Sequence, residues 1–275
     1  VAGRTGGVYR ATIDGQSNPN GSMVELVGHS KTVYGISQDS KSSLVISSSA
    51  DKTIRLWNTS YAKCVNKYAT LSTCWDVDFA PFGYYFCSAG SDRTAMVYST
   101  DRHTPLRVLI GHISDVTCVK YHPNSALIAT GSDDKTCRLW DMRSGACVRY
   151  FQAPHCNNIM CIDLSPNGTM IAAGSYHSDN NACVWDIGSN KLQAVLHDSM
   201  TTTNTVQFDP TGKTLATGGD DGIVKTWDLN ALTLPSLHRS SGSANTNTSS
   251  STSSNAQNNP NTNTNRNHTA IPVYS

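Results

Sequence analysis

"GSDDKTCRLWD", Gly131 to Asp141, gathers two adjacent acids, a lysine, an arginine and a tryptophan in eleven residues. Such a set is material for an acid/base or metal site, but it also makes a tight turn between two strands. Repetition along the chain decides between them. Trp57, Tyr98, Trp140, Trp185 and Trp227 follow one another at 41, 42, 45 and 42 residues, and six residues before each stands an acid: Asp51, Asp92, Asp134, Asp179 and Asp221. Upstream, His29, Thr70, His112, His155 and His197 keep spacings of 41, 42, 43 and 42. An active site does not recur five times in register; a structural unit does.

A period of about 40–45 residues with "GH" early and "WD" late predicts an all-β propeller of four-stranded blades. The third unit divides accordingly. "DVTCVKYHP" alternates polar and apolar residues as a first strand, and "ALIATGS" is a shorter, more apolar second one. "DDKT" is the turn, and "CRLWD" and "ACVRYF" are the third and fourth strands around "MRSG". A single blade cannot bury both of its faces, so stability has to come from stacking.

Composition narrows the function. Only 15% of residues are charged, against roughly 25% in an average chain, and the formal net charge is +1. That leaves no basic footprint of the kind phosphate-backbone binding needs, so no direct nucleic-acid binding is expected. No run approaches the ~18 apolar residues of a membrane helix, and "VAGRTGGVYR" lacks the apolar core of a secretory signal. It also lacks an initiator Met, as a processed chain or a fragment would. The nine cysteines, at 64, 74, 87, 118, 137, 147, 156, 161 and 183, show no zinc-ribbon spacing. His155, Cys156 and Cys161 invite a metal reading, but no second cluster would complete the ligand set, and free buried thiols are expected instead. No Gly-rich phosphate loop, G-x-S-x-G elbow or H-E-x-x-H is present, and "AGRTGG" has neither the spacing nor a preceding strand. No catalytic residue, metal, cofactor or small-molecule substrate is expected.

These repeats resemble the WD-repeat family over roughly residues 23 to 230. The resemblance implies a buried network in each blade linking the early His, the turn Asp, a Ser or Thr and the late Trp. It assigns structural roles to His29, Asp51 and Trp57, to His112, Asp134 and Trp140, and by position to Asp92, His155, Asp179, Trp185, His197, Asp221 and Trp227. Physics argues the same way: a buried carboxylate is tolerable only with donors around it, and imidazole and indole N–H supply them. The units depart unequally from the pattern. The second has Ala69–Thr70 in place of "GH" and Tyr98 in place of Trp, so the Asp92 brace is expected to be weak. The fourth has Pro154–His155 and two extra residues in "GSYHSDNNACVW"; the fifth has Leu196–His197 and two extra residues within Ser199–Thr203. Such lengthening is tolerated at blade rims, where partners are often met.

The stretch from Trp75 to Asp141 resembles more particularly the WD-repeat subunits of general transcription factor IID, among the TBP-associated factors. "PFGYYF", "TPLRVLIGH", "DVTC" and "YHPNSALIATGS" carry that resemblance, with "LSPNG", "AAGS" and "VWDIG" of the fourth unit. It implies a nuclear scaffold of RNA polymerase II transcription initiation, or of a related histone-acetyltransferase coactivator, joining histone-fold subunits and other proteins. Members carry a helical region before the propeller, which this chain does not show. The alternative is a substrate-recognition or scaffold subunit of a ubiquitin ligase or RNA-processing complex. Residue by residue, Tyr84, Tyr85 and Phe86 read as strand core and blade edge, Arg107 as a fourth-strand surface charge, and His103 and His122 as solvated loop residues without a role.

The chain divides into a propeller region 1–235, a Ser/Thr/Asn-rich segment 236–269 too poor in apolar residues to fold, and a closing piece 270–275. Asn247 and Asn267 match the glycosylation sequon, which matters only in a secreted protein. "GVYRA" and "SMVELV" resemble a third and a fourth strand of a preceding blade, with Tyr9 at the Trp place. "AIPVYS" resembles a strand that starts and is cut off, and the last fourth strand, near Leu232–Leu237, is weakened by Pro235. That makes 23 strands, one short of six blades and five short of seven. The resemblance implies seven blades closed by both chain ends, so truncation on both sides is expected, with self-association through open inner faces.

Overall fold

The computed structural model describes residues 8–11, 23–39, 43–152, 157–176, 182–196, 202–230 and 271–272. They form five four-stranded antiparallel sheets and one two-stranded ribbon. The ribbon pairs β1 (Val8–Ala11) with β2 (Met23–Leu26). The first blade is β3 (Val33–Gln38), β4 (Leu44–Ser49), β5 (Thr53–Asn58) and β6 (Lys63–Ala69). The second is β7 (Cys74–Phe79), β8 (Tyr85–Gly90), β9 (Thr94–Ser99) and β10 (Arg107–Ile110). The third is β11 (Val116–Tyr121), β12 (Leu127–Ser132), β13 (Cys137–Asp141) and β14 (Cys147–Phe151). The fourth is β15 (Ile159–Leu164), β16 (Met170–Ser175), β17 (Ala182–Asp186) and β18 (Lys191–Leu196). The fifth is β19 (Thr203–Phe208), β20 (Thr214–Gly219), β21 (Ile223–Asp228) and β22 (Ile271–Pro272).

In the fifth blade, Ile271 and Pro272 pair with Val224 and Ile223, at the place the sequence reading gave to Leu232–Leu237. Those leucines lie outside the described residues, as do most of 1–22, all of 236–269 and residues 273–275. An edge strand accommodates a proline, because its outer N–H has no ladder partner to lose.

Within each blade, burial follows strand order. The second strands of the first four blades are buried almost end to end, with five consecutive residues covered in β4, β12 and β16 and four in β8. A strand flanked on both sides and packed on both faces must be apolar or small throughout, which is why "ALIATGS" reads as it does. The fourth strands of the first three blades are largely exposed, with one inward anchor each: Tyr68, Leu109 and Phe151.

The cores lie between blades rather than inside them. Ile46, Ile54, Leu56 and Tyr68 of the first blade close on Cys74, Val77, Phe86 and Tyr98 of the second. Val97 and Leu109 of the second meet Val119, Ile128 and Trp140 of the third. The pattern repeats between the third and fourth and between the fourth and fifth blades. Val8 and Leu26 of the ribbon pack on Val33, Val45 and Trp57 in the same manner. First strands run side by side along the inner edge, β3 against β7, β7 against β11, β11 against β15, and β15 against β19.

Candidate functional site

The Asp133–Thr136 turn sits at the heart of a polar relay. Trp140 Nε1 donates to Thr130 Oγ1 at 2.8 Å, and His112 Nε2 lies 2.7 Å from the same hydroxyl. The Asp134 carboxylate can only accept, so Nδ1–H donates to its Oδ2 at 2.8 Å, and in that neutral tautomer Nε2 accepts from the Thr130 hydroxyl. Asp134 also accepts from Thr136 Oγ1 at 2.6 Å, Thr136 N at 3.0 Å and Ile113 N at 3.2 Å. The first blade copies it: Trp57 Nε1 to Ser47 Oγ at 2.8 Å, Ser47 Oγ to His29 Nε2 at 2.7 Å, His29 Nδ1 to Asp51 Oδ2 at 2.9 Å. Burial pushes His29 below its ordinary value, although Asp51 pulls the other way. Burial alone would raise Asp51 and Asp134; the hydrogen bonds from Thr53, His29 and Ser30 in one, and from His112 and Thr136 in the other, outweigh it and hold both carboxyls low.

The relay carries a second component that the sequence reading missed. Arg55 and Arg138 lie over the Trp57 and Trp140 rings, 5.8 and 6.0 Å from their centroids. Their guanidinium groups fill the space where a Cβ on Gly28 or Gly111 would sit. The glycine of "GH" is there for a close approach, and it is coupled to an arginine two residues before the Trp. The second blade loses both at once, with Ala69 and Met96 at these positions.

That blade also substitutes an aromatic core for the polar one. Tyr98 stacks on Phe86 at 5.1 Å and meets Tyr68 edge-on at 5.6 Å, and its hydroxyl faces Met96 Sδ at 3.2 Å. Phe86 stands where Val45 and Ile128 face a tryptophan in the other blades, so a larger neighbour makes up for the smaller ring. Asp92 keeps only Thr94, through Oγ1 at 2.7 Å and N at 3.1 Å, while the Thr70 hydroxyl turns to Ser72 O at 2.8 Å. A cavity of about 10 Å³ remains among Thr70, Ser88 and Asp92.

In the fourth blade Trp185 is buried, but Ala173 occupies the hydroxyl position; His155 and Asp179 lie outside the described residues. In the fifth, Trp227 Nε1 reaches Thr217 Oγ1 at 3.0 Å. Asp221 is paired instead with Lys225 Nζ at 3.1 Å, and Ile223 replaces the turn threonine. His197 is outside the described residues.

A second set of polar contacts stitches blade to blade along the inner edge. Asp78 accepts from Ser37 Oγ of the first blade at 3.1 Å and from Tyr121 N of the third at 2.9 Å, with Lys120 Nζ at 3.5 Å. Asp76 takes Val119 N at 3.0 Å, and Asp163 takes Phe208 N of the fifth blade at 2.7 Å. His122, read from sequence as a solvated loop residue, is buried. One ring nitrogen bonds Gly168 O of the fourth blade at 2.9 Å and the other accepts from Asn124 N at 3.2 Å. His103 is exposed, as read.

Asp76, Lys120 and Asp163 line a polar cavity of about 460 Å³. Burial raises Asp76 to about 6, against the pull of Lys120 and the Val119 N–H; Asp78 and Asp163 are raised for the same reason. A carboxyl whose folded value exceeds its unfolded one stabilises fully below about pH 4 and loses that contribution as pH rises through about 6. Between pH 4.5 and 7, Asp76→Asn should therefore remove about 1–2 kcal/mol of the pH-dependent loss of stability, reduced from the full shift because the cavity admits water. Melts at both pH values check this; an unchanged slope would place the Asp76 titration at the ordinary carboxylate value.

Five of the described cysteines (Cys74, Cys87, Cys118, Cys137 and Cys183) are buried and in no disulfide, Cys161 is half-buried, and Cys64 and Cys147 are exposed. Among the described residues, no three His, Cys, Asp or Glu side chains are grouped to hold a metal ion.

Comparison with known proteins meets this architecture. The model for "WD domain, G-beta repeat" matches residues 20–58, 62–99, 103–141, 145–186 and 190–228. The last four matches start just before the fourth strand of one sheet and end on the third strand of the next, so the repeat in sequence straddles two blades. A transcription initiation factor TFIID subunit 5 from Caenorhabditis elegans is 34% identical over 210 residues, 76% of this chain and 32% of that protein. A guanine nucleotide-binding protein subunit beta from Arabidopsis thaliana is 29% identical over 221 residues, 74% of this chain and 58% of that protein. A pre-mRNA-processing factor 19 homolog 2, also from Arabidopsis thaliana, is 29% identical over 249 residues, 85% of this chain and 46% of that protein. The chain thus spans about a third to just over half the length of these relatives. With its five matched repeats folded as five four-stranded sheets, the chain belongs to the WD-repeat family.

Proposed function

We propose that this chain is a non-catalytic scaffold of the general transcription machinery, binding other protein subunits of transcription factor IID or a related coactivator in the nucleus, histone-fold subunits among them. The observation that carries this reading is the 34% identity to a TFIID subunit 5, against 29% for the G-protein and pre-mRNA-processing relatives. The stretches "PFGYYF" and "TPLRVLIGH", which a generic repeat does not require, support it. So does the use of the recurrent acids: Asp51 and Asp134 are consumed in holding blades together and are not aimed at a substrate. A second reading, a scaffold of an RNA-processing or ubiquitin-ligase complex, is favoured by the pre-mRNA-processing relative, whose match covers more of the chain.

Affinity capture of the tagged chain from nuclear extract, with mass spectrometry, separates them. Histone-fold transcription subunits are expected. Splicing subunits, cullin adaptors or a G-protein gamma subunit in their place would overturn the transcription reading.

A further inference from the structure

The outer seam between the second and third blades holds a groove of about 560 Å³. It opens on one edge of the sheets. Tyr85 begins β8, Arg107 begins β10, Leu127 begins β12 and Asp141 ends β13, and antiparallel order places all four ends together, opposite the edge that carries the His112–Asp134 brace. The floor is apolar, formed by Leu106, Leu127 and Met142 over the buried Val97, with Tyr85 as a wall. The rim is cationic, with Arg107 from one blade and Arg143 from the other.

Arg107 is held ready across the seam. Its Nη1 donates to Leu106 O at 2.7 Å and its Nη2 to Arg143 O at 3.5 Å. Two carbonyls fix the guanidinium but leave its charge uncompensated, and among the described residues neither Arg107 nor Arg143 has a carboxylate in ion-pair reach. Asp141, the acid in the groove wall, spends Oδ1 on the N–H groups of Arg143 and Ser144, at 2.7 and 3.2 Å. Beside the groove on the same edge, the β7–β8 turn exposes Phe82 and Tyr84, 63% and 77% accessible. Tyr84 sits at φ 62°, a conformation costly for a bulky side chain. The stretch "PFGYYF" and the start of "TPLRVLIGH" meet here.

We propose that this groove docks an extended segment of a partner protein, one that places a large apolar side chain on the Leu106–Leu127–Met142 floor and flanking carboxylates on Arg107 and Arg143. Charge complementarity selects that occupant. The chain's own residues 231–275 contain no Asp or Glu and carry Arg239 and Arg266, so they offer the wrong sign. A preorganised guanidinium matches a carboxylate in two-pronged geometry at small entropic cost. This docking chemistry is independent of which complex the chain enters.

The test is fluorescence anisotropy with three labelled octapeptides and the 275-residue chain. One carries Leu-Phe flanked on each side by Asp and Glu, one has lysines for the acids, and one has alanines for Leu-Phe. Saturable binding of the first alone is expected. Arg107→Glu with Arg143→Glu should weaken it by about tenfold or more and admit the lysine peptide. Arg107→Lys should weaken it less. Both arginines are exposed, and an unchanged melting temperature shows that the fold is intact. No saturable binding of the acidic peptide, or equal affinity for the doubly reversed variant, overturns the proposal. Sedimentation showing a dimer that the same reversals dissociate would also overturn it, by giving the groove to a second copy.

Discussion

Asp134→Ala is expected to lower the unfolding free energy by about 2–4 kcal/mol, and Asp92→Ala by about 1 kcal/mol. The two acids hold the same place in the repeat, so the difference isolates the network around them. Asp134 accepts four hydrogen bonds, from His112, Ile113 and twice from Thr136, and its side chain is 1% accessible. Removing it strands an imidazole N–H and a threonine hydroxyl away from water, and burial makes each such orphan expensive. Asp92 accepts two, both from Thr94, which shares its turn and can find water when the acid is gone. Denaturant melts decide the matter, and equal losses would mean that the His–Asp relay adds nothing to the turn. A pH signature follows. Asp134 is held well below its ordinary value by donors that outweigh burial, so its contribution is complete above the unfolded value and fades as pH falls toward the folded one. The gap between wild type and Asp134→Ala should be flat above about pH 5 and narrow below it.

The five-fold register was legible because His, Asp and Trp recur at nearly constant spacing, and a recurrent polar residue in an apolar pattern can only be structural. Blade order, the fewer contacts of Asp92 and the ribbon of Val8–Ala11 with Met23–Leu26 followed from the same alignment. What escaped was whatever occurs once. Asp78 finds Ser37 and Tyr121 about one repeat away on either side, and no other blade has this pair of acids in its first strand. A search for the repeat averages such singletons away. The signal was present all the same: "CWDVDF" puts two acids on a strand whose neighbours are buried, and a carboxylate there must have donors. His122 escaped because its partner is the backbone of Gly168, which no side-chain pattern records. The arginine over the tryptophan was readable by a different route, since glycine and arginine disappear together in the second unit.

Gly131→Ala should be as damaging as loss of the brace, about 3 kcal/mol, although it adds only a methyl group. A Cβ at Gly131 would lie 2.6 Å from both Cys118 Sγ and Ile159 Cγ2, and 3.0 Å from Ile162 Cγ2. None of these can swing aside: Ile159 and Ile162 are buried, with stiff χ1 angles, in the core between the third and fourth blades. The constraint is shared between two strands. At the paired positions of the first and second strands the blades hold Gly35 with Ser48, Asp76 with Ala89, Cys118 with Gly131, Cys161 with Gly174 and Thr205 with Gly218. One member is always small, because adjacent sheets converge toward the inner edge and leave room for one side chain per pair. The first blade has the small residue on the first strand and the others have it on the second, so the arrangement is reversible. Cys118→Gly should accordingly rescue Gly131→Ser, the pair then matching Gly35 and Ser48, with a coupling energy of about 1–2 kcal/mol in a double-mutant cycle. Rescue should stay incomplete, since Ile159 approaches from the next blade and is untouched. Additive losses would show that the clash is relieved by sliding whole sheets and that the pairs are not the unit of fit. A coupling of the expected size would make the buried Cys118 and the half-buried Cys161 spacers between blades, chosen for volume and not for sulfur chemistry.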